Sequence, residues 1–171
     1  MNNKVLVSAC LVGLPVRYDG RAKPVDATIL ERWREEGRMV HFCPEVAAGF
    51  PTPRPPAEIR GGGGAKVLLG EAVVVDRAEA DVSAMFVDGA RQALALAQAN
   101  GIRVALLTDG SPSCGSGFIY SGDFSGRTLD DVGVTTALLT QHGIRVFGHS
   151  RIEDADAWLR ALDAQTDEAA T

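Results

Sequence analysis

The chain is short of cysteine, of long apolar runs and of positive charge, and each shortage removes a class of function. It has three cysteines, an odd number, none in a Cys-x-x-Cys pair, which suits a reducing compartment and argues against a disulfide-exchange protein. No apolar stretch approaches the roughly 20 residues a helix needs to cross a bilayer, so no membrane-spanning helix is expected. The formal net charge of −5 provides no field for long nucleic acid, although a local arginine could still hold one phosphate. The strand-like run after Met1-Asn2-Asn3-Lys4 is too short for a secretory core and lacks a small-residue cleavage site, so a cytoplasmic location is expected. Self-association is left open, a homodimer included.

What is present reads as one soluble domain. At 171 residues, 46% hydrophobic and 23% charged, the chain can bury a real core but not two comfortable ones. Val5–Ala9, Met39–Phe42, Val104–Leu107 and Ile144–Phe147 are short apolar runs expected as buried strands. A helix is expected from Pro24 through Trp33 and Glu36, with Asp26 as N-cap and Gly37 beyond its end. The strongest helical periodicity covers Asp81–Asn100. Another helix runs through Val134 to Gln141 behind Asp130 or Asp131, and a last one covers Ile152–Leu162 with Trp158 and Leu159 facing inward.

Between these lie a proline-rich loop from Pro44 to Ile59, a flexible connector at Gly61–Gly64, and short strands at Val67–Leu69 and Ala72–Val75, read as a hairpin around Gly70. The glycine run lacks the lysine and hydroxyl of a phosphate loop. Residues 119–126 read as an irregular excursion. Strands alternating with helices predict an α/β fold: a single Rossmann-like three-layer domain over residues 1–164, with a mainly parallel sheet and helices on both faces. Residues 165–171 are expected as a flexible tail.

All three cysteines fall where a strand-like run gives out, beside Pro, Gly or Ser. Cys10 follows the first run, Cys43 the second, and Cys114 sits in the turn Ser111-Pro112-Ser113-Cys114-Gly115-Ser116-Gly117. If those runs are neighbouring parallel strands, three thiols meet on one edge, where open α/β sheets carry their chemistry. Thiols that were merely small hydrophobes would fall inside strands and helices instead. Two centres remain open. One is zinc held by three thiolates and a water, or by His41, two residues before Cys43. The other is an iron–sulfur cluster with only three cysteine ligands, which leaves one iron as a Lewis acid able to take a soft atom.

The segments Val7–Gly13, Val16–Gly20, Cys43–Val46, Phe50–Ile59 and Ser111–Gly117, in that order, closely resemble the thiouracil desulfurase (TudS-like) family, and the likeness runs from about Lys4 to Phe147. It implies a 4Fe-4S cluster bound by Cys10, Cys43 and Cys114, with the open iron taking the substrate sulfur. It also implies non-redox hydrolysis of the C–S bond of 2- or 4-thiouracil or of 4-thiouridine monophosphate, yielding the uracil compound and hydrosulfide. Glu45, two places beyond a ligand, is the expected general base, and Ser111 matches the family's second catalytic residue. Ser8, Ser113, Asp109 and Tyr18 are candidates for holding the base or the cluster sulfurs. Arg17 or Arg54 could bind a phosphate, or could instead pair with Asp19 and Glu58 to pin their loops. The partner is then a thiolated pyrimidine base or nucleotide. The competing reading is a zinc- or cluster-holding binding or regulatory module without turnover.

Overall fold

A computed structural model describes residues 2–22 and 28–171; the helix opening at Pro24 and the Asp26 cap lie outside the described residues. The chain begins with β1 (Val5–Ser8), which breaks directly into a 3₁₀ turn over Ala9–Val12. α1 (Thr28–Glu35), β2 (Met39–Phe42) and the single-turn α2 (Pro44–Ala47) follow. β3 (Ala57–Arg60), α3 (Gly64–Leu69), β4 (Val73–Asp76) and α4 (Ser83–Ala99) make up the middle of the chain. Beyond them come β5 (Val104–Leu107), β6 (Ile119–Tyr120), β7 (Thr128–Leu129), α5 (Val134–Gln141), β8 (Arg145–Gly148) and α6 (Ile152–Ala169).

The main sheet has the order β2-β1-β5-β8 and every pairing in it is parallel. β1 and β5 are the inner strands, and all their residues are buried, which is why they read as unbroken apolar runs. Alternate residues of a strand point to opposite faces. Val5, Val7, Val104 and Leu106 accordingly pack with Leu30 and Trp33 of α1 and with Ala155, Leu159 and Leu162 of α6. Leu6, Ala105 and Leu107 pack instead with Ala97 of α4 and Leu139 of α5. Asp156 ties α1 to α6: it accepts from the Trp33 indole N–H at 2.8 Å and pairs with Arg160 at 2.8 Å and with Arg32.

Parallel strands bring their C-terminal ends to one edge. Cys10 lies two residues past β1, Cys43 one past β2, and Cys114 in the turn after β5. That turn is fixed by α5, whose first N–H groups have no partners within their own helix. Val134 and Thr135 donate to the carbonyls of Pro112 and Ser113 at 2.8 and 2.9 Å, and the Thr136 hydroxyl donates to the carbonyl of Cys114 at 2.9 Å.

Several elements differ from the sequence reading. Val67–Leu69 is the end of a helix, α3, and not a strand; β4 pairs antiparallel with β3, from Ala57↔Asp76 to Arg60↔Val73, so no hairpin turns at Gly70. The glycine run is packed rather than free. A Cβ on Gly63 would stand 1.9 Å from the Asp131 carboxylate and one on Gly64 2.2 Å from the Gly133 carbonyl. α5 starts from Gly133, and backbone carbonyls replace the aspartate cap. Trp158 is 39% exposed beneath the Arg145 guanidinium, because its helical neighbour Leu159 takes the core position. α6 continues through Ala169, so residues 165–169 are helical where a frayed tail was expected.

Candidate active site

At the C-terminal edge of the sheet opens a cavity of about 600 Å³, and Cys10, Cys43 and Cys114 all line it. None is in a disulfide; Cys10 and Cys114 are buried and Cys43 is half-buried. The Cys10 sulfur lies 2.9 Å from the Thr108 hydroxyl, and the Cys43 sulfur 4.0 Å from the Val16 carbonyl. Burial pushes the Cys114 thiol far up from its ordinary value; the charges of Cys43, Glu45 and Cys10 push the same way, and the Ser8 hydroxyl only partly opposes them. Burial likewise raises the Cys43 thiol, against the Val46 N–H. The Cys114 thiolate is thus disfavoured by its burial and by its neighbours' charges, and a multiply charged cation beside it would offset both.

Among the described residues no three His, Cys, Asp or Glu side chains converge closely enough to hold a metal ion. A single zinc needs every sulfur about 2.3 Å from one point. An iron–sulfur cluster places its irons at separate corners, so three thiols around one cavity need not meet at a single point to hold one. His41, the candidate fourth zinc ligand, is exposed on β2 and is not among the cavity residues.

Glu45 stands on α2 in the same cavity, its position set by a neighbour that the sequence did not reveal. Arg54, with a side chain only 4% exposed, pairs with the Glu45 carboxylate and donates to it a second time through Nε at 2.8 Å. Its remaining N–H groups reach the Val16 carbonyl at 2.8 Å, and the Pro51 carbonyl and Thr52 hydroxyl at 3.2 Å each. Arg54 was expected to bind phosphate or to pair with Glu58; its donors are committed elsewhere. Glu58 instead accepts from the backbone N–H groups of Gly122 and Phe124 at 2.9 and 3.2 Å. No spacing rule links Glu45 to a residue in a proline-rich loop nine positions on, so only the fold exposes this pair.

The other candidates separate by what they touch. The Ser111 oxygen accepts from the N–H groups of Ser113 and Cys114 at 3.0 and 3.1 Å, the turn role expected of a serine before proline. Its own proton is left over to donate into the cavity it lines. Asp109 accepts from the N–H groups of Ser116 and Gly117 at 2.9 and 2.8 Å, bracing the turn that carries Cys114. Ser8 accepts from the Thr108 N–H at 3.0 Å, and Ser113 shares a hydrogen bond with Thr135 at 2.8 Å. Arg17 and Tyr18 lie along the cavity wall, the guanidinium 5.9 Å from the ring centroid. Arg17 has no carboxylate partner among the described residues, whereas Asp19 pairs weakly with Arg21 at 4.0 Å.

Three thiols, a braced carboxylate and a free hydroxyl proton around one cavity at the switch edge of a parallel sheet define a thiol-lined α/β enzyme site. A family model described as 2-thiouracil desulfurase matches residues 5–151. The chain belongs to that family. It is 43% identical over 150 residues to the uncharacterized protein YbbK of Bacillus subtilis (strain 168), covering 88% of this chain and 98% of that one. A solved structure of a protein described as 4Fe-4S-dependent thiouracil desulfidase TudS superposes with a TM-score of 0.85 at 49% identity. That match covers 93% of this chain and 99% of the other.

Proposed function

We propose that the chain is a 4Fe-4S-dependent desulfurase that hydrolyses the C–S bond of thiolated uracils without redox change, with Cys10, Cys43 and Cys114 holding the cluster. The observation that carries this reading is the meeting of three unpaired thiols with Glu45 in one cavity; family membership supports it. When bound, the cluster supplies an iron with a vacant coordination position, a Lewis acid for the soft thiocarbonyl sulfur.

The chain's own groups do the rest. Arg54 holds the Glu45 carboxylate in one orientation, ready to take a proton from the water that adds to the thiocarbonyl carbon. With the pyrimidine bound as its thiolate anion, the same carboxyl group returns the proton to the bare ring nitrogen as the C–S bond breaks. The added hydroxyl yields its own proton to the departing sulfur and becomes the carbonyl. Ser111, its oxygen already engaged by two N–H groups, uses its remaining proton to orient the water or the ring carbonyl. Water adds, hydrosulfide departs, and a carbonyl replaces the thiocarbonyl with no net electron transfer. Arg17 and Arg77 both line the cavity without a carboxylate partner among the described residues, and Arg17, not lying over Phe124 as Arg77 does, suits the phosphate of a thiolated nucleotide.

The packing of α1 and α6 against one set of strand residues and of α4 and α5 against the other supports a three-layer Rossmann-like reading of a single domain. Three unpaired thiols suit a reducing cytoplasm. The test is anaerobic reconstitution with iron and sulfide, then incubation with 2-thiouracil, 4-thiouracil and 4-thiouridine monophosphate while released sulfide is measured. Sulfide with matching loss of the thiocarbonyl absorbance is expected. A reconstituted protein that binds these compounds but never releases sulfide would favour the holding module without turnover.

A further inference from the structure

Phe124 lies between β6 and β7 with φ of +56°, a left-handed conformation that a bulky side chain rarely adopts. Its surroundings hold the backbone there. Glu58 receives the N–H groups of Gly122 and Phe124. The Asp123 carboxylate accepts from the hydroxyls of Ser121 and Ser125 at 2.6 and 2.5 Å and from Arg127 at 2.6 Å. Gly122 passes so close to β3 that a Cβ on it would meet the Ile59 carbonyl at 2.5 Å.

Strain of this kind persists where the rest of the structure gains something from it. Core packing is not the gain, because Phe124 belongs to none of the three apolar clusters. Its ring instead lines the cavity that holds the three cysteines and Glu45. The Arg77 guanidinium lies over the ring, 5.5 Å from its centroid, so an aromatic ring and a cation meet at the wall of the cavity.

We propose that Phe124 is a specificity-determining residue that stacks on the pyrimidine ring of the substrate, an inference that rests on the desulfurase function proposed above. Arg77 and Glu58 are then positioning residues: one flanks the ring and the other fixes the backbone that carries it.

The test uses the reconstituted holoenzyme with Phe124→Leu, Phe124→Gly and Phe124→Tyr, reading uracil affinity by calorimetry, KM and kcat for 2-thiouracil, and Tm. Loss of one base–aromatic stack is expected to weaken uracil binding and raise KM about 5- to 140-fold in the Leu and Gly variants. Phe124→Tyr, which keeps the stack, should stay within about threefold, and kcat should change less than KM. Glycine adopts positive φ freely, so Phe124→Gly should melt no lower than Phe124→Leu. Uracil affinity and KM within twofold of wild type in both the Leu and Gly variants would overturn the proposal and leave Phe124 a structural plug. Wild-type holoenzyme that neither binds uracil nor releases sulfide would instead overturn the desulfurase function itself.

Discussion

Replacing Arg54 by Met should show that the pair it forms with Glu45 is a coupled unit, and the size of the effect follows from burial. The Arg54 and Glu45 side chains are 4% and 15% exposed, so the single change strands a carboxylate away from most solvent and leaves the Val16 carbonyl without its donor. Breaking one half of a buried pair typically destabilises by about 3–5 kcal/mol, which for a domain of this size is a fall in Tm of about 6–20 °C. Adding Glu45→Leu removes the stranded charge. The double variant should therefore recover about 2 kcal/mol relative to Arg54→Met alone, a coupling well above the few tenths expected for independent sites. Urea unfolding of cluster-free protein under reductant, followed by circular dichroism, measures all four members of the cycle. A coupling within about 0.5 kcal/mol of zero, the range of independent sites, would refute the idea that Arg54 holds Glu45.

Three further outcomes follow from the same structure. The hydrogen bonds and ion pairs from Arg32, Trp33 and Arg160 hold the Asp156 carboxyl below its ordinary value of 3.8 despite the opposing effect of burial. Its contribution to stability is present above that value and is lost as pH falls through the lower folded one. Asp156→Asn should therefore melt several degrees lower at pH 7, with the gap beginning to narrow once the pH falls below about 4; a gap as wide at pH 2.5 as at pH 7 would contradict the assignment. A Cβ on Gly89 would lie 2.3 Å from the Pro44 carbonyl, so Gly89→Ala should displace α2, lose about 1–3 kcal/mol and lower turnover through Glu45. Unchanged Tm and turnover would show that α2 has slack. In folded cluster-free protein at pH 7, iodoacetamide should label Cys43 slowly and Cys114 scarcely at all, since burial raises both thiols and Cys114 is only 6% exposed. Mass mapping of the adducts reads this directly, and rapid native labelling of Cys114 would contradict it.

The parallel sheet was legible because its strands are short, apolar and bounded by breakers. Val5–Ser8 and Val104–Leu107 are buried on both faces, and such strands announce themselves without alternation. The gathering of Cys10, Cys43 and Cys114 followed from their places at strand ends, since parallel strands leave their C-terminal ends on one side. What stayed hidden depends on contacts distant in sequence. Val67 and Leu68 have residues at home in strands, yet Gly63 and Gly64 let α3 pack against the start of α5, and that approach settles their conformation. Ala57–Arg60 sits behind a run of prolines and becomes a strand only because β4 pairs with it. Arg54 was read as a phosphate ligand or a partner of Glu58 for the same reason: nothing in the proline-rich loop reveals that Glu45 faces it.

The most direct measurement is the iron and acid-labile sulfide bound per chain after anaerobic reconstitution, in wild type and in the single variants Cys10→Ser, Cys43→Ser and Cys114→Ser. Four irons and four sulfides in wild type, lost or sharply reduced in each variant, are expected if the three thiols hold one cluster. Full occupancy in any one variant, or iron without sulfide in wild type, would contradict it.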